Sequence, residues 1–214
     1  MPDTKPQPVK KRTRRVQERT EITRAKILEA ATRMFSEQGF DGVSVRDIEN
    51  AAAVQRGLVV YHFGDKDSLW KTVADNTFGR MKEQLEERSD ILRDLSERDS
   101  LVFIIRFHIR YHSQYPELGR LMSQEAIQDS WRIRYLVDKH IKPAALAMRE
   151  LVMHVVGLDE SAYVHWYYIM VTASNTIFSF APECDLLFGV DSHEEARVEA
   201  HGDMLVSMLL GNGE

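Results

Sequence analysis

The sequence predicts an all-α protein. Its 214 residues include only 11 glycines and 6 prolines, a content too low for a turn-rich β-sandwich. Apolar residues recur at steps of three and four along most of the chain, which is the spacing of one helix face. No segment alternates apolar and polar residues over the length of a strand. Since 43% of the residues are hydrophobic, the chain can also bury a sizeable core.

The first helix is predicted from about Glu21 to Gln38. Apolar residues from Ile22 to Phe35 recur on one face of this segment. Thr20 is a suitable N-cap, and Gly39 stands where a left-handed C-terminal cap is wanted.

Two short helices and one long helix are predicted next, over about 45–52, 55–63 and 66–88. Ser44 and Asp47 resemble a capping box for the first of them. Asp65 is expected to cap the long helix, which starts at Lys66.

The rest of the chain is also predicted to be helical. The expected helices span about 99–114, 116–122, 123–140, 143–156, 159–180 and 192–210. Ala181 and Pro182 are expected to end the fifth of these and to introduce a loop over 184–191. Ser192, with Glu195, is expected to cap the last helix.

Charge is distributed unevenly along the chain. The net charge is −5, yet residues 1–64 hold 12 Lys and Arg against 8 Asp and Glu. The remaining residues, 65–214, hold 16 against 25. A basic N-terminal segment followed by an acidic remainder indicates an anionic partner for the first segment only.

The basic residues are densest over 1–19, which composition assigns to a disordered tail. Such a tail is either an arm that lies along DNA phosphates or a solubilising segment, and the sequence is compatible with both interpretations.

The single cysteine, Cys184, cannot form an internal disulfide, and no secretory leader is recognisable. We therefore expect a cytoplasmic protein without a cysteine-based metal site and without a cofactor. The most apolar stretch, 162–181, is interrupted by His165 and Asn175, so no membrane span is expected.

Two short helices after a longer one are the elements of a helix-turn-helix. Near the start of the second short helix, Gln55 and Arg56 are able to reach base edges, and Gly57 allows close backbone approach. The groups expected to meet phosphate are Ser44, Arg46, Tyr61, His62 and Lys66. Arg46 is better explained as a solvated helix residue. The alternatives are a half-buried packing role for Tyr61, simple exposure for His62 and a role at the local helix surface for Lys66.

The segment from Glu21 to Leu69 resembles the DNA-binding domain of TetR-family (tetracycline-repressor-like) regulators. The order of the motifs is that of the family: a phenylalanine and a glycine late in the first helix, a Ser-Val-x-x-Ile start, a Val-x-x-Gly turn, Tyr-His-Phe, and a lysine. Here these residues are Phe35, Gly39, Ser44, Val45, Ile48, Val54, Gly57, Tyr61, His62, Phe63 and Lys66.

The resemblance implies three parts: a basic tail over 1–19, a three-helix DNA-binding domain over 20–66, and a helical effector-binding and dimerisation domain over 67–214. Base reading would fall to Gln55 and Arg56. Two positions depart from the family, since Leu58 and Val60 replace residues that are commonly polar. These two are able to make only apolar contacts, for example with thymine methyl groups, so the departures affect the operator rather than the fold.

A helix-turn-helix of this size is expected to work as a homodimer on a palindromic operator. The resemblance implies that the helices at 159–180 and 192–210 pair across a two-fold axis. The residues assigned to that interface are Trp166, Ala173, Ile177, Val198, Leu205 and Met208. The alternative is that these apolar stripes belong to the core of one subunit, which must hold for some of them.

The middle helices are expected, by the same resemblance, to hold a small, largely apolar effector. The residues assigned to this site are Phe103, Phe107, Tyr111, Trp131, Tyr135 and Met170. Each is also explained as plain core. Arg106 and Arg110 would favour an anionic ligand, and His108 and His112 share one helix face at a spacing compatible with a metal. No acidic residue stands between them in a metalloprotease pattern, so no metal is assigned.

The function predicted is that of a ligand-responsive transcriptional regulator, a repressor in most of the family. The first alternative is a helical adaptor that keeps the fold without binding DNA, which only Leu58 and Val60 favour. The second is an enzyme with a histidine-containing pocket, for which no nucleophile, phosphate loop or metal motif is found at a recognisable spacing.

Overall fold

The computed structural model describes residues 9–211, and the side chains of residues 17–211. Within these limits the chain forms α-helices, one π-helical turn and short connections, with no β-strand. The prediction of an all-α fold is therefore confirmed. The chain divides into two compact units, with the division between Val73 and Ala74 inside a long helix rather than at Lys66.

The N-terminal unit contains three helices and the first part of a fourth. They are α1 Val9–Gln38, α2 Val45–Ala51, α3 Leu58–Phe63 and α4 Lys66–Glu86.

The predicted start of α1 was wrong, because residues 9–19 are helical instead of belonging to a disordered tail. Lys, Arg, Gln and Glu are all good helix formers, and no glycine or proline interrupts the segment. Residues 1–8 of that tail lie outside the described residues.

The predicted N-cap at Thr20 was wrong, because Thr20 lies inside α1. The other caps predicted for this unit are confirmed. Gly39 adopts a φ of 72° directly after α1. The Ser44 hydroxyl accepts from the Asp47 N–H, while the Asp47 carboxylate accepts from the Ser44 N–H at 3.0 Å, which completes a capping box for α2. Asp65 Oδ1 accepts from the Ser68 N–H at 2.7 Å at the start of α4.

A small apolar core holds the first three helices together. Ile27 and Phe35 of α1, Ile48 of α2 and Val59 of α3 are fully buried, and Phe63 is almost so. These residues stand at helical spacing on α1 and α3, so each helix turns one side inward and leaves the other to solvent.

Ala53, between α2 and α3, has a φ of 52°, in the left-handed region that favours glycine. We expect Ala53→Gly to raise the free energy of unfolding of the N-terminal unit by about 1 kcal/mol, because the Cβ strain disappears. Ala51→Gly, two residues earlier in α2, is the matched control and should lower it by a similar amount. Urea unfolding measures both. Equal losses in the two variants would contradict the assignment of strain to Ala53.

The C-terminal unit contains the rest of α4 and eight further α-helices. They are α5 Ser89–Asp94, α6 Glu97–Gln114, α7 Glu117–Glu125, α8 Trp131–Leu136, α9 Lys142–Val156, α10 Glu160–Ser179, α11 Ala181–Phe188 and α12 Glu195–Leu210. A π-helical turn, Val137–Ile141, joins α8 to α9. No helix among the described residues is both long and apolar enough to cross a membrane.

Three predicted elements of this unit were wrong. The continuous helix over 123–140 is interrupted, because Ser130 caps a new helix and the turn that follows is π-helical. The loop over 184–191 is mostly α11, since Pro182 in the first turn begins a helix as readily as it ends one. Ser192 does not cap α12, whose N-cap position is Glu194.

The main core of this unit lies between α6, α9, α10 and α12. Leu101, Ile105 and Met170 are fully buried there, and Trp166 is nearly so. The Trp166 indole donates to the Leu209 carbonyl oxygen at 3.2 Å, which satisfies its polar atom inside the core.

Candidate functional site

The exposed face of α3 is the first candidate site. Val59 and Phe63 point into the core, so the positions at the opposite side, Val60 and Tyr61, face solvent. Their exposed fractions are 55% and 78%, which is high for an apolar and an aromatic residue. An aromatic hydroxyl and an apolar side chain on a short exposed helix are suited to a DNA groove.

Gln55 and Arg56 are exposed but do not belong to α3 as predicted. They lie in the turn before it, because the helix begins only at Leu58. Gly57 is the N-cap residue and has a φ of 89°. The two candidate base-reading side chains therefore project from the turn, adjacent to the N-terminus of α3.

Ser44 and Arg46 lie at the N-terminus of α2, and both are exposed. The Ser44 hydroxyl is already engaged with the Asp47 carboxylate, whose pKa is lowered by hydrogen bonds from the Ser44 side chain and backbone. Ser44 is thus first of all a cap, with a hydroxyl at the surface, while the Arg46 side chain is placed in solvent.

The end of α3 is tied to its neighbours. Arg24 of α1 donates from Nη1 to the His62 carbonyl oxygen at 2.8 Å, and its guanidinium lies 4.3 Å from the centroid of the Phe63 ring. The ring of His62 is half-buried and meets the Tyr61 ring edge-on. Lys66 Nζ lies 4.0 Å from the centroid of the Phe40 ring.

Sequence reasoning missed the residues that hold α3 in place. In the sequence, Arg24 does not differ from the other arginines of α1, and Glu49 resembles an ordinary surface residue in the middle of α2. Glu49 is in fact only 4% exposed. A charged residue between two apolar positions of a short helix was the available indication, and it is a weak one.

The second candidate site is a cavity of about 180 Å³ between the end of α4 and α6. It contains three of the six residues assigned to the effector site, Phe103, Phe107 and Tyr111. The other residues that line it are Gln84, Arg88, Arg106, Arg110 and Gln114.

The other three assigned residues lie elsewhere. Met170 is fully buried in the main core, so it does not line this cavity. Trp131 and Tyr135 belong to α8, and the Tyr135 hydroxyl donates to Asp75 Oδ1 at 2.8 Å. Aromatic residues at helical spacing looked equivalent in the sequence, and only packing separates the cavity wall from the core.

The Asp75 carboxylate contacts two side chains of the π-helical turn. Lys139 Nζ lies 2.7 Å from its Oδ2, and His140 Nε2 lies 2.9 Å from its Oδ1. Burial raises the pKa of Asp75, but the hydrogen bonds from Lys139, Tyr135 and His140 outweigh it, and the pKa is lowered. Asp75 is therefore an anion at neutral pH that links α4 to the π-helical turn.

Two of the three arginines that line the cavity are paired with carboxylates of α12. Arg110 forms a bidentate ion pair with Glu199, in which its Nε and Nη2 each lie 2.8 Å from a carboxylate oxygen. Arg106 pairs with Asp203 and also approaches Glu199. The cavity thus combines an aromatic wall with guanidinium groups whose charges are balanced from α12.

His108 and His112 lie on α6 with ring centroids 6.3 Å apart. Burial lowers the pKa of His108 to about 4, and burial together with the charge of His108 lowers that of His112 to about 3. Both imidazoles are therefore neutral at pH 7. In the described part of the chain, no group of three His, Cys, Asp or Glu side chains is placed to hold a metal ion.

The residues assigned to the dimer interface separate into three groups by exposure. Trp166, Val198 and Leu205 are buried within the subunit, so they are core residues and that assignment was wrong. Ala173 and Ile177 are half-buried beside the same core. Met208 is 70% exposed. The apolar residues of α10 and α12 that do face solvent are Val164, Tyr168, Ile169, Met204 and Met208.

Comparison with known proteins places the N-terminal unit in a known family. The family model for bacterial regulatory proteins of the tetR family matches residues 27–73. The repressor AcnR of Corynebacterium efficiens is 38% identical over 77 residues, which cover 35% of this chain and 41% of AcnR. This match thus spans less than half of AcnR. The transcriptional regulator Mb3439c of Mycobacterium bovis is 36% identical over 142 residues, 63% of this chain and 69% of that protein.

Solved structures share the fold over most of the chain. AibR, solved in complex with isovaleryl coenzyme A and operator DNA, has a TM-score of 0.66 at 16% identity, covering 90% of this chain and all of AibR (100%). FadR of Bacillus halodurans, a fatty acid degradation regulator, has a TM-score of 0.64 at 17% identity, covering 86% of this chain and 94% of FadR. At these identities the likeness concerns the fold. Taken with the matched family model and the 36% identical regulator, it leads to one conclusion: the chain belongs to the TetR family of bacterial regulatory proteins.

Proposed function

We propose that this chain is a dimeric transcriptional repressor that binds a palindromic operator in the cytoplasm and is released by a small effector. The observation that carries the proposal is the exposed face of α3, with Gln55 and Arg56 beside it, inside the stretch that matches the family model. The relatives named as repressors and regulators support the same role.

In this proposal Arg56 and Gln55 read base edges, as the donor patterns of arginine and glutamine allow. Tyr61, His62, Lys66 and Ser44 contact phosphates, and Arg46 adds a positive charge nearby. Val60 replaces a polar group with an exposed apolar one, so we expect it to meet a thymine methyl group. Gly57 allows the backbone to approach the duplex.

The second copy is proposed to pack on the exposed apolar residues of α10 and α12. Tyr168 and Ile169 of α10, with Met204 and Met208 of α12, leave apolar surface in water that a partner would remove. Ala173 and Ile177 border this surface. A dimer is also what a single short recognition helix requires, because two half-sites multiply modest affinities.

The effector is proposed to occupy the cavity between α4 and α6. About 180 Å³ is below the roughly 300–1,000 Å³ of drug-sized sites, so the bound part of the ligand is small. Phe103, Phe107 and Tyr111 would contact an apolar portion. Glu199 and Asp203 already pair with Arg106 and Arg110, so an acidic group of the ligand would have to take the place of these carboxylates. Binding would change operator affinity only if the ligand prefers one of two conformations.

The test uses a duplex selected from a random library by the full-length protein. We expect Arg56→Ala to weaken binding to this duplex at least tenfold, since one bidentate base contact contributes about 1–3 kcal/mol. Fluorescence anisotropy gives the affinity, and the titration end point should show two chains per palindrome.

Arg33→Ala is the matched control, because Arg33 is an exposed arginine on the side of α1 opposite Arg24, the residue that contacts the end of α3. We expect Arg33→Ala to reduce the affinity only by the loss of one positive charge from the general electrostatic attraction to DNA. Equal losses for the two variants, or no selected sequence at all, would refute the proposed role in operator recognition.

The adaptor alternative predicts folded dimers that do not bind DNA sequence-specifically. The same selection tests it: recovery of a specific sequence excludes the adaptor, and failure to recover one supports it. Leu58 does not favour that alternative, because the side chain is half-buried beside the core rather than displayed. Membership in a family of regulators agrees with the prediction that the chain is not an enzyme.

A further inference from the structure

The recognition helix α3 begins without a side-chain cap of its own. Its N-cap residue is Gly57, which has no side chain to accept from the first N–H groups. The helix has only six residues, so its first turn is a large part of it. Unpaired N–H groups at a buried helix start are costly, and another group must accept from them.

Glu49 of α2 supplies that acceptor. Its Oε1 atom accepts from the Gly57 N–H at 2.8 Å and from the Val59 N–H at 3.1 Å. Glu49 is only 4% exposed, so the bond to Val59 is shielded from water and the bond to Gly57 partly so. A negative charge at a helix N-terminus is favourable because the first peptide dipoles point their positive ends toward it.

The same contact orients the turn that carries the base-reading candidates. Gln55 and Arg56 stand directly before Gly57, and their direction depends on where α3 begins. The far end of α3 is held separately, by Arg24 on the His62 carbonyl oxygen. The two ends of the helix are therefore tied to α2 and α1 by one charged side chain each.

We propose that Glu49 is a positioning residue for operator recognition: its carboxylate sets the start of α3 and thereby the direction of Arg56. This inference rests on the proposed function. It also implies that the Gly57 and Val59 amides are occupied within the protein and do not bind a DNA phosphate, so recognition falls to side chains.

The experiment compares the full-length parent with Glu49→Ala, Glu49→Gln and Glu37→Ala. Glu37 is an exposed residue of α1, so its removal changes the charge equally without touching α3. For each protein, anisotropy measures affinity for the selected duplex and for a scrambled duplex of equal length. Circular dichroism during heating reports whether the variant is folded at the assay temperature.

We expect Glu49→Ala to lose at least tenfold in affinity for the selected duplex relative to Glu37→Ala, with equal affinity for the scrambled one. Glu49→Gln keeps an acceptor oxygen and should retain most of the specific affinity. A folded Glu49→Ala that keeps the specificity of the Glu37→Ala control overturns the proposal.

Should Glu49→Ala be unfolded, Glu49→Gln decides, because an amide of the same shape preserves packing. Amide hydrogen exchange at Gly57 and Val59 then measures the strength of the contact. The proposal requires the exchange rate and the specific affinity of Glu49→Gln to be retained together or to change together. Faster exchange without a loss of specific affinity, or a loss of specific affinity without faster exchange, overturns it. A parent that selects no sequence refutes the proposed function itself, and this inference with it.

Discussion

Acidification from pH 7 to pH 5 is expected to destabilise the C-terminal unit by about 4 kcal/mol through His108 and His112. Burial lowers the pKa values of these residues from 6.5 to about 4 and about 3. Between pH 6.5 and pH 4 the unfolded chain binds protons on both imidazoles while the folded chain does not. Stability therefore falls as the pH falls through this window, by about 2 kcal/mol per histidine at pH 5.

Replacement of His112 by leucine should remove about half of this dependence. His112 is 7% exposed, and its Nδ1 atom has no hydrogen-bond partner among the described residues. An apolar side chain of similar size therefore costs little at pH 7.5, within about 1 kcal/mol. Urea unfolding at pH 7.5, 6 and 5 measures the slope.

His154→Gln is the control, because that histidine is exposed at the end of α9. Its variant should keep the steep dependence of the parent. An unchanged slope in His112→Leu would show that the buried histidines do not govern the acid sensitivity.

Gly119→Ala is expected to destabilise the C-terminal unit by about 3 kcal/mol. Gly119 is buried where α7 passes close to α10. A Cβ at this position would collide with Ser179 Oγ and lie only 2.8 Å from Asn175 Oδ1. Both side chains are held, since Asn175 donates to the Val171 carbonyl oxygen and Ser179 is buried. Overpacking that neighbours cannot relieve costs about 1–3 kcal/mol.

The matched substitution is Gly79→Ala in α4, where a Cβ meets nothing within 4 Å. It should stabilise the protein by about 0.5–1 kcal/mol, because alanine is the better helix former. Addition of Ser179→Ala to Gly119→Ala should restore part of the loss. Thermal or urea unfolding shows whether each substitution lowers or raises the free energy of unfolding. A Gly119→Ala variant as stable as the parent would mean that α7 and α10 are free to separate.

Local features of the fold were predictable because their causes lie within a few residues of each other. The capping box at Ser44 and Asp47, the left-handed Gly39 and the Asp65 cap of α4 all follow from side chains and neighbours in sequence. The helix boundaries that depend on them were correct. The interrupted helix over 123–140 was not, since a π-helical turn has no comparable composition rule.

The candidate DNA site was predictable in its residues and less so in its geometry. The motif located Arg56 and Tyr61, but it placed Arg56 on the helix instead of in the turn before it. The residues that line the cavity were predicted less well, because aromatic residues of α6 and α8 have the same helical spacing whether they line the cavity or pack elsewhere.

The helical fold, the ends of several of the helices and the family are all predictable from the sequence. These properties depend on local hydrogen bonding and on residue order. Tertiary structure alone decided that Trp166 is core while Met208 faces solvent, and that Glu49 is buried against the start of α3. The reason is physical: burial and charge pairing depend on which helix packs opposite, and such partners are set by the whole fold rather than by neighbours in the chain.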